Sequence, residues 1–428
     1  MSSDWPLKRL EEVADEVTVG YVGSMATEYV ESGVPFLRSM NIEPFNINTK
    51  DLKFVTPVFH QRIKKSRLQP GDVAIVRTGQ PGTCAVVPNW LVDANCSDLV
   101  IIRCGKELRP HFLCYWVNSV ASHHISSHTV GAVQQHFNVG AAKKMNVAVP
   151  PLHLQDEVIS VLGALDDRIN LLRETNSTLE AIAQALFKSW FVDFDPVRAK
   201  IDGRVPEGVD DVTAALFPDE FEESELGMIP KGWGIKRLSD VLQARNERAE
   251  NLIVPEYAST NDGLLPREKI YKKKLSASSA KNKLVKRDDL VFGLSRQVLN
   301  FGQMQDEIGS VSSAYKVYEI RADSVIPHLL GRLIRTRSDY FFNAVSASSR
   351  EGQSVSSEAL GMLSFVQPPM NVQQALSSLM QPLLEKGEAC LQQAETLREV
   401  RDTLLPGLIT GTIPLSKIAG SSEELLAA

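Results

Sequence analysis

The chain repeats itself. Trp5, Lys8, Arg9, Leu10 and Val13 spell W-x-x-K-R-L-x-x-V, and Trp233, Lys236, Arg237, Leu238 and Val241 spell it again 228 residues later. Val34-Pro35 with Ser39 and Asn41 returns as Val254-Pro255 with Ser259 and Asn261, an offset of 220. Leu68-x-x-x-Asp72 returns as Leu284-x-x-x-Asp288 at 216, or with Asp289 as the match if the alignment slides by one. Pro150-Pro151 with Gln155 returns as Pro368-Pro369 with Gln373 at 218. The offset drifts by about ten residues, as insertions in loops produce, and the order is kept. The 428 residues therefore read as two copies of one unit.

After each double proline comes a long periodic stretch. Val158, Leu162, Leu165, Ile169, Leu172, Asn176, Leu179, Ala183, Leu186 and Trp190 step by fours and threes without a break, the a/d seam of a helix paired in a coiled coil. Adding 218 gives Leu376, Met380, Leu383, Gly387, Cys390, Ala394, Leu397, Arg401, Leu404 and Leu408, degraded but in register. Two such helices, each about 50 Å long, most simply pack on each other; membership in two ordinary bundles is the alternative. Asn176 lies on the seam, where a buried amide fixes register. Pro382 predicts a kink or a late start in the second helix, and Pro406-Gly407 predicts its end.

Before each helix, about 150 residues of strand-rich sequence with Gly, Pro and Asn turns read as a compact α+β globule. The expected order is a globule at 1–150, a helix at 151–195, an acidic linker at 196–226, a globule at 227–369, a helix at 370–412 and a tail at 413–428. A composition of 43% hydrophobic and 23% charged residues excludes a largely disordered or integral membrane chain. No apolar run reaches the roughly 18 residues that a membrane helix needs. Residues Met1 to Val13 show neither a signal core nor a transit composition, so a cytoplasmic location is expected. Cys84, Cys96, Cys104, Cys114 and Cys390 form no C-x-x-C pair and read as reduced thiols, not disulfides or zinc ligands.

A net charge of −6 argues mildly against a nucleic-acid partner, but its distribution reverses that impression. Between Ile201 and Gly227, Arg204 is the single base among many carboxylates. Between Arg267 and Arg287, Glu268 is the single acid among Arg267, Lys269, Lys272, Lys273, Lys274, Lys281, Lys283, Lys286 and Arg287. A charge run alone is more ordinarily a solvated face, so the basic one needs support from elsewhere.

Catalytic motifs are missing. Gly105-Lys106 runs on to Glu107 and makes no P-loop, and no G-x-G-x-x-G occurs. Val149-Pro150-Pro151-Leu152 and Gln367-Pro368-Pro369-Met370 lack the polar residue before and the aromatic after that a DNA amino-methyltransferase places around its prolines. Asp51-Leu52-Lys53 is a trivial match to a magnesium nuclease centre. His123, His124, His128 and His136 have no cysteine or carboxylate at ligand spacing and read as polar surface or phosphate contacts. Catalysis and a bound metal are not expected.

Two globules, each followed by a long helix, in a catalytically empty chain resemble the specificity subunit of type I restriction-modification enzymes. The likeness is carried by Trp5-Pro6-Leu7-Lys8-Arg9-Leu10 and Ser224-Glu225-Leu226-Gly227-Met228-Ile229-Pro230-Lys231-Gly232-Trp233, by Gly33-Val34-Pro35-Phe36-Leu37-Arg38, and by Leu68-Gln69-Pro70-Gly71-Asp72. Pro150-Pro151 with Gln155, the run Leu179 to Phe187, and the close Leu404-Leu405-Pro406-Gly407-Leu408-Ile409-Thr410-Gly411 complete it. The chain departs from the pattern at Gly387 and Arg401 on the second seam. The resemblance implies that each globule is a target recognition domain for one half-site of double-stranded DNA. It implies helices that pack as an antiparallel spacer, and a scaffold for two methyltransferase subunits and for restriction/translocase subunits. S-adenosylmethionine, ATP and magnesium then belong to those partners and none to this chain. A non-DNA coiled-coil scaffold and a standalone DNA-modifying enzyme are the rival readings.

On that reading Lys and Arg meet phosphates, while Asn, Gln, Arg and Ser on loops read base edges. Candidates are Arg38, Asn41, Arg77, Thr78, Gln80, Gln134 and Gln135 in the first globule. In the second they are Ser259, Asn261, Lys272, Lys273, Lys274, Arg296, Gln297, Arg350 and Gln353. Arg77, in a Gly-flanked turn after a predicted strand, suits a bidentate guanine contact, and the three lysines suit phosphates.

Overall fold

In a computed structural model the chain is described over residues 5–121, 137–260, 263–271, 279–293, 300–321, 323–346 and 356–415. It is a mixed α+β chain with two 40-residue helices, Leu152–Phe191 and Met370–Ile409. Its contacts separate it into two compact units, Met1–Glu174 with Cys390–Ala428, and Thr175–Ala389. Each unit owns a globule and part of both helices, so the borders of compactness fall inside the helices and not at their ends. The reason is packing: a helix seam belongs to whatever core it covers.

In the first unit the strands Cys84–Val86, Val73–Val76, Leu99–Cys104 and Ala14–Val19 form an antiparallel sheet in that order. Val73-Ala74-Ile75-Val76 is buried throughout because both faces are covered. Val73 and Ile75 share a core with Phe112, Leu113, Val158 and Leu162, whereas Ala74 and Val76 share one with Leu37, Leu68 and Leu99. A second, five-stranded sheet runs Tyr29–Val30, Lys53–Val55, Val34–Leu37, Ala94–Cys96, Arg67–Leu68. The entry strand Leu7–Arg9 pairs with Asn146–Ala148, and Leu10 N–H donates to the Met145 carbonyl at 2.9 Å.

The second unit sets its sheet out in the same order: Phe301–Gln303, Leu290–Phe292, Lys316–Ile320, Leu242–Ala244. Gly234–Arg237 pairs with Ser364–Gln367, and Leu238 N–H donates to the Leu363 carbonyl at 2.9 Å. The buried carboxylates decide how the two copies align. Asp72 accepts from Gln69 N–H at 2.9 Å and Asp289 from Lys286 N–H at 2.8 Å. Asp72 therefore corresponds to Asp289, while Asp288 takes the left-handed place of Gly71, with φ of 68° against 88°. Burial pushes both of these carboxyls above their usual range, against the lowering effect of Arg103 on Asp72 and Arg245 on Asp289.

A shared device joins globule to helix. Gln155 is fully buried; its Nε2 donates to the Pro150 and Glu107 carbonyls at 2.8 Å each, and its Oε1 accepts from Arg109 N–H at 2.8 Å. Arg109 precedes the helix Pro110–Ser119. In the second unit Gln373 donates to the Pro368 carbonyl at 2.9 Å and accepts from Ile326 N–H at 3.0 Å, just ahead of the helix Pro327–Thr336. The five free cysteines are buried except for half-buried Cys104, whose thiol burial pushes up to about 12.

Three expectations need correction. The second helix does not start late: it begins at Met370 and continues without a break past Pro382, an exposed residue that cannot donate its share of the helical hydrogen bonds. It also passes Pro406-Gly407 to Ile409, because Leu405, Leu408 and Ile409 are buried in the core of the first unit. The stretch 196–226 is more than a linker. It carries the helices Asp195–Ile201 and Asp211–Ala214, and Phe221–Ser224 pairs with Gly227–Pro230. Val197 and Phe217 are buried beside Trp190 and Trp233 in the second unit, while Glu222 and Glu223 face outward.

Candidate nucleic-acid interface

In the first globule the strand Val73–Val76 turns back into Cys84–Val86 through a loop with two left-handed glycines, Gly79 and Gly82. Arg77, Thr78 and Gln80 lie on this loop. Arg77 is held from two sides: its Nη1 meets Asp98 at 2.9 Å, and its Nε donates to the Phe137 carbonyl at 3.3 Å. Thr78 donates its hydroxyl to the same Asp98 carboxylate. Phe137 N–H returns a bond to the Arg77 carbonyl at 3.0 Å, so the chain that follows Gln134 and Gln135 comes back against this loop. Those two residues lie outside the described ones, as do His123, His124, His128 and His136. With its side chain 17% exposed, Arg77 serves first to shape the loop; Gln80 is the exposed polar group upon it.

Arg38 and Asn41 occupy another turn. Arg38 donates through Nη2 to the Asp51 carbonyl at 2.6 Å. Asn41 is fully buried; it donates to the Asn48 and Lys50 carbonyls at 3.0 and 3.2 Å and accepts from Arg38 N–H at 3.0 Å. This corrects Asn41 as a base-edge reader, since its amide is spent on bracing the turn. Exposed Lys50 and Lys53 flank the same turn.

In the second globule Ser259 is 7% exposed on the strand Tyr257–Thr260. Gly293 packs against it so closely that a Cβ there would come within 2.8 Å of the Ser259 Cβ. Ser259 is thus a core-facing residue and not a loop reader. Asn261, Lys272, Lys273, Lys274, Arg296, Gln297, Arg350 and Gln353 lie outside the described residues. Part of the surrounding basic run is compensated locally. Arg287 pairs with Glu307 at 2.9 Å, Lys286 with Glu247 at 3.1 Å, and Arg267 lies over the Tyr271 ring. Burial, with Lys316 and Arg248 nearby, pulls Lys283 down.

Along the helices, Val158 and Leu162 enter the core of the first globule together with Leu405 and Leu408, and half-buried Leu404 packs against it. Leu165, Ile169 and Leu172 form one buried cluster with Cys390, Ala394 and Leu397. In the second unit Ala183, Phe187 and Trp190 bury with Leu376 and Met380, while Leu186 and Leu383 pack at the margin. Phe187 takes the place expected of Leu186, the drift of a 3.6-residue helix from a 3.5-residue pattern. Leu179 and Asn176 are half-buried. The gap at Gly387 has a partner: a Cβ there would lie 2.6 Å from Asn176 Oδ1, so the glycine makes room for the seam amide.

Residues 2–181 match the family described as the type I restriction modification DNA specificity domain. That stretch belongs to this family. The chain is 21% identical to the type I restriction enzyme MjaIX specificity subunit of Methanocaldococcus jannaschii over 97% of its own length and 95% of the relative's. It is 34% identical to the HindI specificity subunit of Haemophilus influenzae over 24% of this chain and 31% of that one. The fold is similar to a solved S subunit of a type I restriction-modification system from M. genitalium, with a TM-score of 0.53, 11% identity, and 95% and 96% of the two chains covered.

Within this specificity domain the organisers that sequence reasoning missed are Asp51 and Asp98. Both take left-handed backbone conformations, φ 55° and 54°, and both hold candidate arginines. No local signal singles them out, because Asp, though enriched in that region, still adopts it at only a small minority of positions. Among the described residues no cluster of three or more His, Cys, Asp or Glu is placed to hold a metal ion, and no helix is long and apolar enough to cross a membrane.

Proposed function

We propose that this chain is the sequence-specific DNA-recognition subunit of a type I restriction-modification complex. Each globule is a target recognition domain for one half of a bipartite, asymmetric site. The two helices pack antiparallel as a coiled-coil spacer, on which two methyltransferase subunits and the restriction/translocase subunits assemble. The observation that carries this reading is the recurrence of one sheet order and one glutamine-braced junction in two globules whose loops differ. Two readers built alike but lined differently suit two unlike half-sites, with spacing set in steps of about 34 Å per duplex turn. S-adenosylmethionine, ATP and magnesium act on the partner subunits.

The purified chain alone is expected neither to methylate nor to cut DNA. Expressed with its methyltransferase partner, it is expected to yield methylated bases in two short half-sites separated by unread base pairs. Activity of the chain by itself, or one uninterrupted motif, would overturn the reading. Lys272, Lys273 and Lys274 lack the fork that matches guanine and are assigned to phosphates. Replacing all three with Ala is expected to weaken binding to every duplex and lower the salt slope by about two to three. An altered motif at unchanged salt slope would reassign them to base reading, and salt-independent binding of the parent would favour a scaffold without DNA.

A further inference from the structure

Arg401 stands on the seam of the second long helix where the pattern asks for an apolar residue, yet it is 8% exposed and fully engaged. Its guanidinium meets Asp166 on the first long helix at 2.6 Å and Asp402 at 2.7 Å, and it lies 4.5 Å over the Phe45 ring. Asp166 also accepts from the Tyr115 hydroxyl at 2.6 Å. Burial, then the Asp166 charge, pushes this hydroxyl well above its usual pKa and keeps it a donor. All of these residues belong to the first compact unit.

A seam arginine that served helix pairing alone would need only the facing carboxylate. Here the contacts leave the helices for the globule, and they converge. Phe45, in a left-handed turn with φ 68°, donates its N–H to the Cys84 carbonyl at 3.0 Å. Tyr115 shares its helix with Asn118, which accepts from Cys84 N–H at 3.1 Å and donates to the Cys84 carbonyl at 2.8 Å. Cys84 opens the strand that leaves the loop of Arg77, Thr78 and Gln80. Both routes from Arg401 therefore end at the base of that loop. The second unit braces its globule by other means, with Arg332 reaching Glu180 at 2.9 Å and Gln184 at 3.0 Å.

We propose that Arg401 is a positioning residue for the first half-site: carried by the second copy's helix and touching no base, it holds the base of the 77–83 loop through Phe45 and through Asp166 and Tyr115. This rests on the reading of the globules as half-site readers. Stability and positioning separate in one variant, because replacing a whole buried ion pair by apolar residues is commonly neutral or stabilising. Asp166→Leu with Arg401→Leu leaves an apolar seam but no link to the loop.

The test uses the chain assembled with its methyltransferase partner. The readouts are sequencing of methylated bases, competition by duplexes scrambled in one half-site or the other, and thermal melting. The double variant, which still leaves the Tyr115 hydroxyl without its acceptor, is expected to melt above the single variant Arg401→Leu, to lose about tenfold in discrimination at the first half-site, and to read the second unchanged. Tyr115→Phe, which deletes one hydroxyl, should shift the first half-site the same way by less. Arg401→Lys, which can pair with Asp166 but presents no flat face to Phe45, should fall between Arg401→Leu and the parent. A folded double variant that reads both halves like the parent, or weakens both equally, overturns the proposal. Should the double variant not fold, unchanged first-half discrimination in Tyr115→Phe overturns it. A parent complex without a bipartite motif removes the half-site reading and the proposal with it.

Discussion

Replacing Leu165 and Leu172 together by Asp is expected to abolish cooperative folding of the first unit. Leu165 and Leu172 are 4% and 6% exposed, in one cluster with Ile169, Cys390, Ala394 and Leu397. Each substitution removes a packed side chain and buries a carboxylate with no planned partner, at about 3–5 kcal/mol apiece. The sum reaches the 5–15 kcal/mol or so that holds a whole domain together. The single variants should lower the urea midpoint strongly at constant slope, and the pair should leave no native baseline. Leu171→Asp is the control, since Leu171 is 52% exposed and its change should stay within about 0.5 kcal/mol. Equal effects at 165, 171 and 172 would mean that charge on the helix, and not burial in this cluster, sets the loss.

The second large effect is expected at Gln155 and Gln373. Gln155→Leu takes the buried amide away from the Pro150 and Glu107 carbonyls and the Arg109 N–H; Gln373→Leu takes it away from the Pro368 carbonyl and the Ile326 N–H. Buried groups left without partners cost about 1–3 kcal/mol each, so a loss near 3 kcal/mol is expected in either variant. Urea unfolding checks it, and a loss below about 1 kcal/mol would show that the junction re-forms its bonds without the amide. Gln155→Glu keeps the shape and the acceptor but not the donors, and should lie close to Gln155→Leu.

Much of this architecture is legible along the chain because helical burial is periodic. The step from Val158 to Leu172 marks a buried stripe, and the paired phrases around Trp5 and Trp233 mark two strands that enter equivalent sheets. Even Gln155 and Gln373 are visible as matching letters, though nothing local says that they tie a helix start to a globule. Short-range regularities of this kind follow from the 3.6-residue turn and the two-residue pleat, which every neighbour shares.

Other assignments depended on what lies opposite, and that is not a local property. Asn41 and Gln80 are the same kind of residue for reading a base, yet one is buried in its own turn and the other is exposed. Arg77 and Arg38 both carry the guanidinium fork that suits a guanine edge, yet Asp98 and the Asp51 carbonyl engage them. Asp72 could be matched to Asp288 or Asp289 until the turn bonds from Gln69 and Lys286 chose Asp289. Pro382 keeps its helix because packing on the seam outweighs one lost hydrogen bond. Gly387 and Arg401, blemishes in a heptad pattern, fit an amide and a carboxylate on the other helix. A polar or small residue on a seam has no meaning until its partner is known, because the cost of burying it is set by the group that it meets.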